Sequence, residues 1–383
     1  MSDARQNSHS HDDRELGYQP WFFNRQTLDC VVGGVSAIDS PRLNIRDEEE
    51  ARQFIRAYGY DFDDPEHREQ LWATHRRAIS LIKEQLLDEG ENIPERLYDP
   101  AQLTDLTQLL ILASSNDNKE LQRWACSILR VMHVYVHMQN DLFSAFRDEI
   151  QAQILKPLQD VILQDDIVGS TRLGPSLPGG GIKLHKFEIK PFKTTASSVV
   201  KLLARPEKVA LTLLDKLGVR FVTRTVQDSF RVIKYLVDNH ILSYPHIIPD
   251  QSINTLYPVN LFIEVMKELG EKSDEELDPE MVQETLKRRL ETERERAEYR
   301  ERLNEFSGPD YRFVKFISRK LVTVSLGEGE TKRAFRFFYP YEIQIMDYET
   351  YVRNLSGPMA HDEYKNRQRR KARERVLSLE ASE

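Results

Sequence analysis

The sequence has little cysteine and no long apolar run. Its two cysteines, Cys30 and Cys126, lie far apart and form no Cys-x-x-Cys pair. Neither a disulfide framework nor a zinc knuckle is therefore expected, which fits a reducing cytosol. No segment approaches the roughly 18 apolar residues that a membrane span requires. The polar first residues also lack the apolar core of a signal peptide. We expect a cytoplasmic protein with no membrane partner.

The sequence also has fewer basic than acidic residues: it contains 54 Lys and Arg and 62 Asp and Glu, for a net charge of −8. Bulk electrostatics thus exclude general nucleic-acid binding, and any polyanion must be met by a local patch. One such patch is the run 365–375, with seven basic residues and the single acid Glu374. It could contact RNA, or it could be a solvated helix face.

The sequence pattern of the N-terminal part predicts a tail followed by helices. Residues 1–18 are polar and are expected to be disordered, within a tail and irregular segment over 1–43. Apolar residues at three- and four-residue spacing predict an α-helical domain over 44–164. His133 and His137 share a helix face there and could hold a metal, but the partners of a metal site are absent, so a packing role is favoured.

The chain changes character after residue 164. Glycine and proline predict a linker over 165–183. Beyond it, strand-like and helix-like segments alternate over 184–260 and 311–383, around a charged helical insertion at 261–310. This pattern predicts an α+β protein, with a helical N-terminal domain followed by a mixed β-sheet domain flanked by helices. A coiled-coil dimer through the insertion is conceivable, but its apolar seam (Leu286, Leu290, Ala297 and Leu303) is sparse. An oligomer is therefore possible, and the oligomeric state stays open.

The strand predicted over 335–345 displays a carboxylate. Its alternation places Glu342 and Gln344 on one face, and Tyr341, Ile343 and Ile345 on the other, as in a strand with one buried side. A carboxylate in that position suits metal or hydroxyl chemistry. A strand can equally show such residues to water without any further role.

A second stretch, KTTASSVVK at 193–201, contains the parts of a phosphate site. Lysines at both ends of a hydroxyl-rich turn can neutralise a polyphosphate, and Asp215 downstream can hold a magnesium ion that bridges phosphate oxygens. Together with Glu342, these residues supply the cations, carboxylates and hydroxyls of a phosphoryl-transfer site.

These motifs occur in a familiar order. Lys193, Ser197 and Lys201 are followed by Asp-x-x-Gly-x-Arg at 215–220, by Glu-x-Gln-Ile from Glu342 and by His-x-x-Tyr-Lys at 361–365. The pattern resembles the synthetase domain of the RelA/SpoT alarmone synthetases over about residues 184–370. That family has a nucleotidyltransferase-like fold and transfers pyrophosphate from ATP to the 3′-hydroxyl of GDP or GTP.

The resemblance implies a magnesium-dependent pyrophosphokinase in which each motif has a role. Asp215 and Glu342 would be the catalytic, metal-binding carboxylates. The ATP phosphates would be held by Lys193, Ser197, Lys201 and Arg220. The acceptor would be bound by Gln344, Thr255, His361 and Lys365.

The resemblance is weakest where the acceptor would bind. The family's Gly-Tyr-x-Ser-x-His motif, whose aromatic ring stacks on guanine, corresponds here to SINTLY at 252–257, which keeps a hydroxyl in Thr255 but has neither that Tyr nor that His. The acceptor could therefore be a guanine nucleotide, another nucleotide or an RNA 3′ end. The alternative is a catalytically altered homologue that senses nucleotides or binds a partner through the charged helix at 261–305.

Overall fold

The structure of the protein is a computed structural model. It describes residues 24–139, 145–165, 170–175, 181–190, 192, 195–206, 213–271, 278–301, 311–327, 333–355 and 361–377. Lys193, the tail 1–18 and the short segment 207–212 lie outside the described residues.

The N-terminal part is helical, as predicted. Its helices are α1 (Arg25–Val31), α2 (Glu48–Ala57), α3 (Pro65–Leu81), α4 (Thr107–Ser114), α5 (Lys119–Gln139) and α6 (Arg147–Gln159). The start of α3 shows why: the Asp64 carboxylate accepts a hydrogen bond from the Glu66 amide, and Pro65 occupies the first helical position. A π-helical turn, Ile82–Leu86, continues α3. None of the helices in the described part of the chain is long and apolar enough to cross a membrane.

Two boundary expectations need correction. The helical pattern predicted up to 164 ends at Gln159, and strand β1 (Ile162–Asp165) follows. Within the expected linker, strand β2 (Ser170–Leu173) pairs antiparallel with β1. Glycine and proline content did not reveal these strands, because each has only four residues and is stabilised by pairing with neighbouring strands rather than by a strong strand propensity of its own.

The remaining strands complete one seven-stranded mixed sheet in the described part of the chain. They are β3 (Ile182–Lys190), β4 (Gly218–Thr223), β5 (Ile253–Asn254), β6 (Val314–Leu326) and β7 (Arg333–Asp347). The spatial order is β1-β2-β3-β4-β7-β6-β5. β4 and β7 run parallel, whereas the other neighbours are antiparallel. The predicted mixed sheet is thereby confirmed.

Helices cover the apolar face of the sheet. The later helices are α7 (Thr195–Leu203), α8 (Val226–Asp238), α9 (Val259–Gly270), α10 (Pro279–Thr292), α11 (Tyr348–Asn354) and α12 (His361–Leu377). Ile154 of α6 and Val232 of α8 belong to one core with Phe221 and Ile343 of the sheet. This core fixes the positions of β4 and β7, and with them the opposite face of the sheet.

Helices α7 and α12 pack on the N-terminal helices. Val199 and Leu203 of α7, with Ala372 and Val376 of α12, lie in the same core as Ile128 of α5. The sequence assigns both helices to the sheet domain, but their apolar residues pack on the helical part. The core of the helical part therefore includes two helices from the C-terminal half of the chain, and the sheet has a core of its own.

The charged insertion is a helical hairpin with a small core of its own. Leu261 and Val265 of α9 pack with Val282 and Leu286 of α10. Leu286, part of the sparse seam that suggested a coiled coil, is only 1% exposed. Its apolar surface is thus buried inside the chain and is not available to a partner helix.

Candidate active site

Strand register aligns polar side chains into rows across four strands. Glu188 of β3 pairs with Arg220 of β4, which pairs with Gln344 of β7, which pairs with Lys315 of β6. Directly paired residues lie on the same face of a sheet. These side chains therefore share one face, opposite the apolar core. We call it the polar face.

A second row runs beside the first through a glycine. Lys190 pairs with Gly218, and Gly218 pairs with Glu342. A Cβ atom on Gly218 would lie 2.8 Å from the Glu342 carbonyl oxygen and 3.0 Å from its Cβ. Glycine is therefore required between the lysine and the carboxylate, because any side chain there would displace Glu342.

Glu342 lies between two lysines. The Lys190 ammonium is 2.9 Å from one carboxylate oxygen, and that of Lys315 is 3.6 Å from the other. The Glu342 side chain is 9% exposed, whereas the lysines are 27% and 28% exposed. The sequence predicts that only the apolar side of this strand is buried. That expectation is wrong here, because ion-pair partners shield the polar side as well.

Gln344 organises two of the cations. Its side-chain oxygen accepts hydrogen bonds from Lys190 at 2.6 Å and from the Arg220 Nε at 3.0 Å. Its amide nitrogen lies 3.5 Å from the Tyr311 hydroxyl. Gln344 therefore holds Lys190 and Arg220 in place beside Glu342.

Glu188 balances part of the positive charge. Its carboxylate accepts from Arg220 at 3.0 Å, from Lys186 at 2.6 Å and from the Tyr351 hydroxyl at 3.3 Å. Burial alone would raise the pKa of Glu188, but the Lys186 hydrogen bond and the Arg220 charge outweigh burial and lower that pKa. The hydrogen bond to Glu188 in turn raises the pKa of Lys186.

Asp215 forms a separate pair close in sequence to this face. Its carboxylate lies 2.5 Å from the ammonium of Lys201 in the last turn of α7, with side chains 19% and 14% exposed. Three residues later comes Gly218, the register partner of Glu342. The structure thus joins two of the predicted residues, Lys201 and Asp215, to each other directly.

The other predicted residues lie in different surroundings. Ser197 is exposed on α7. The Thr255 hydroxyl accepts from the Phe313 amide at 3.1 Å and so anchors a turn to β6. His361 begins α12, where Lys365 is half-buried. The hydroxyl contacts of Thr255 are with the backbone of Tyr311 and Phe313.

Sequence reasoning missed four members of the polar face. Lys186, Glu188 and Lys190 alternate along β3, and this period of two was the signal that could have identified them. Lys315 has no comparable signal, because only the β6–β7 register places it opposite Gln344.

The donor set limits how a metal could bind. The described residues contain no group of three or more His, Cys, Asp or Glu side chains that could hold a metal ion. Magnesium is commonly held by one or two carboxylates together with substrate phosphates. Asp215 and Glu342 fit that mode, in which a dication would share or replace their lysine partners.

Comparison with known proteins gave matches to structures alone. No protein-family model matches the chain, and no curated protein matches it. Small alarmone synthetase 2 from Bacillus subtilis is similar at 13% identity over 61% of this chain and 90% of that chain, with a TM-score of 0.28. Small alarmone synthetase 1 from the same organism, bound to its product pppGpp, matches at 14% identity over 50% and 72%, with a TM-score of 0.21.

A GTP pyrophosphokinase family protein from Streptococcus pneumoniae matches at 13% identity over 64% of this chain and 85% of that chain, with a TM-score of 0.22. The three matched structures thus bear the family description that the sequence motifs resemble.

Proposed function

We propose that the polar face binds ATP and a second nucleotide, and that the protein transfers pyrophosphate from ATP to a hydroxyl of that acceptor in the presence of magnesium. The observation that carries this proposal is the charge of the face. Four cations, Lys186, Lys190, Arg220 and Lys315, stand against two carboxylates, Glu188 and Glu342. A local net charge of +2 on a protein of net charge −8 favours a polyanionic ligand.

The cations differ in how they can act. Arg220 is fixed by Glu188 and Gln344 and presents a rigid guanidinium. Lys190 and Lys315 are about one-quarter exposed, so their ammonium groups can turn from Glu342 toward an incoming phosphate. Lys201, paired with Asp215, would serve the same polyphosphate from α7.

In the proposed reaction, the acceptor hydroxyl oxygen attacks the β-phosphorus of ATP. The bond from that phosphorus to the oxygen bridging the α-phosphate breaks, and AMP leaves. The acceptor proton passes to a base, for which Glu342 is the candidate on this face. Magnesium held by Asp215 or Glu342 with the phosphates would neutralise charge on the transferred group. The lysines stabilise the same charge directly.

Two tyrosines are candidates to stack on the nucleobase of the acceptor nucleotide. Tyr257, in the segment that replaces the family's stacking motif, is 3% exposed and donates to the Leu286 carbonyl, so it cannot stack on a ligand. Tyr311 is half-buried and has its hydroxyl beside Gln344. We assign the stacking role to Tyr311.

A free nucleotide is favoured over RNA as the acceptor. RNA binding would call on the basic run of α12, but two of its arginines are already paired. Arg373 contacts Asp88 and Glu91, and Arg375 contacts Asp39. These pairs anchor α12 to the N-terminal helices and leave less of the run for phosphates.

A labelling assay tests the transfer. The protein is incubated with magnesium, β-labelled ATP and, separately, GDP, GTP, other nucleotides or tRNA, and products are resolved by chromatography. We expect AMP and a labelled nucleotide with at least one free nucleotide, and loss of both in Asp215→Ala and Glu342→Ala. No product with any acceptor would exclude transfer. Binding of ATP in that case would support the nucleotide-sensing alternative.

A further inference from the structure

The helical part of the chain forms a cavity of about 510 Å³ that is open to solvent on one side and remote in sequence from the polar face. Its wall is mainly apolar and includes Leu71, Leu106, Leu110 and Val136. Sites for small molecules typically measure about 300–1,000 Å³ and combine an apolar wall with few polar groups. The cavity therefore has the size and lining of a site for an apolar ligand.

One wall of the cavity carries a half-buried cation, Arg130. Arg130 of α5 donates one terminal nitrogen to the Val376 carbonyl and the other to the Ser40 carbonyl, each at 2.8 Å. Its Nε is buried and has no hydrogen-bond partner in the described part of the chain. Burial lowers the pKa of Arg130, since it disfavours the charged form.

No described carboxylate lies within ion-pair distance of Arg130. Asp39 acts on it only at longer range, and both Asp39 oxygens are bound by Arg375, at 2.5 and 2.9 Å. Two guanidinium groups thus share one carboxylate, which leaves an uncompensated positive charge at the cavity. Buried charges in proteins are normally paired, because an unpaired one is costly.

A second polar group at the cavity is neutral. The Tyr58 hydroxyl lies 2.8 Å from the Nδ1 of His133. Burial, together with the charge of His137, lowers the pKa of His133 to about 4, and burial raises that of Tyr58. At neutral pH the pair therefore adds hydrogen-bonding capacity without adding charge.

We propose that this cavity binds a small, mainly apolar molecule with one anionic end, of the type of a medium-chain carboxylate, with its anionic end at Arg130. The apolar wall disfavours a nucleotide or an inorganic anion, and the unpaired guanidinium disfavours a purely apolar ligand or a cation. A single apolar tail with a carboxylate satisfies both features.

The native cysteines provide a direct readout. Cys30 and Cys126 both line the cavity, and they are the two cysteines of the chain. The full-length protein is titrated calorimetrically with dodecanoate and dodecyltrimethylammonium below their micelle concentrations, and with dodecanol below its solubility limit. Thiol modification by a maleimide is then timed with and without each compound.

We expect one dodecanoate per chain, at least about tenfold tighter binding than for dodecanol, and slower thiol modification in its presence. Arg130→Met should remove the preference for dodecanoate over dodecanol. Arg123→Met, on the same helix but outside the cavity wall, should leave it unchanged.

Three results would overturn the proposal: no dodecanoate binding, equal affinity for the three compounds, or binding without thiol protection. Arg130→Met removes two buried hydrogen bonds and could fail to fold. In that event the comparison of the three compounds on the wild-type protein decides the question.

Discussion

Both faces of strand β7 are buried around residues 342–345, but the two faces have different neighbours. Ile343 and Ile345 are 0% exposed and pack in the core under α6 and α8. Glu342 and Gln344 are 7% and 4% exposed when the whole residue is counted, but their neighbours are lysines and an arginine. Burial therefore does not separate a structural face from a candidate site. The chemistry of the neighbours does.

The difference has an energetic consequence. Burying the isoleucines stabilises the fold, by roughly 1.5–3 kcal/mol for each fully buried side chain. Burying charged groups costs desolvation energy that ion pairs only partly return. We therefore expect changes on the apolar face to act mainly on stability and changes on the polar face mainly on ligand binding and transfer.

The largest expected effect is that of Glu342→Gln. We expect pyrophosphate transfer to fall by about 10²–10³-fold, because a charged group at the reacting centre is replaced by a neutral one of the same shape. The free energy of unfolding should fall by about 1–3 kcal/mol, because the two lysines lose their charged partner while the Gln oxygen can still accept a hydrogen bond. Initial rates and urea denaturation measure the two quantities. A large loss of stability with unchanged turnover would invert the proposed roles of the two faces.

Ile343→Ala tests the opposite face. Removal of this fully buried side chain should lower the free energy of unfolding by about 2–5 kcal/mol, through lost burial and a residual cavity. Urea denaturation gives this value, and an ATP titration of the folded variant should give the wild-type dissociation constant. A weakened ATP affinity with normal stability would contradict the division between the faces.

His133 is a half-buried titratable group, and no negatively charged group contributes to the shift of its pKa. Its pKa is lowered to about 4, so between about pH 6.5 and pH 4 the unfolded chain binds a proton that the folded chain does not. The contribution of neutral His133 to the free energy of unfolding is fully present above pH 6.5. It is lost as the pH falls, and the free energy of unfolding is about 2 kcal/mol lower at pH 5.

Urea denaturation at pH 7.5 and pH 5 measures this loss. His133→Gln should remove that part of the pH dependence, whereas His137→Gln, an exposed neighbour on the same helix, should retain most of it. An identical pH dependence in wild type and His133→Gln would show that another group is responsible.

Lys190→Met should act on ligand binding within the polar face. We expect an ATP dissociation constant about tenfold higher, because one of the phosphate-facing cations is lost. Lys183→Met, an exposed lysine of the same strand that pairs with Arg172 of β2, is the matched control and should bind ATP normally. Equal affinities in the two variants would place the phosphates elsewhere.

The smallest effect is expected at the surface. Lys234 and Asp238 form an exposed pair four residues apart on α8. Lys234→Ala should change the free energy of unfolding by at most about 0.5 kcal/mol, and transfer should not change. A loss comparable to that of Ile343→Ala would show that surface pairs also carry the fold.

The sequence predicts those parts of this molecule that depend on a pattern within one short segment. The alternation along β7 places Glu342 and Gln344 on one face, and the apolar periodicity predicts α7 and α8. It does not predict partners that depend on register. Lys315 opposite Gln344 and Gly218 beside Glu342 follow from pairing between strands distant in the chain. The strand β2 was missed for another reason, because it is only four residues long and lies in a stretch rich in glycine and proline.

One measurement tests the central claim that the polar face binds the nucleotide. The protein is labelled with ¹³C at isoleucine methyl groups and titrated with magnesium and α,β-methylene-ATP, which cannot transfer its pyrophosphate. Ile317 is the register partner of Glu342 on the polar face, and Ile345 lies on the apolar face. We predict that the Ile317 resonance shifts with saturation while that of Ile345 does not. Shifts confined to apolar-face isoleucines, or no shift at Ile317 at saturation, would contradict the account.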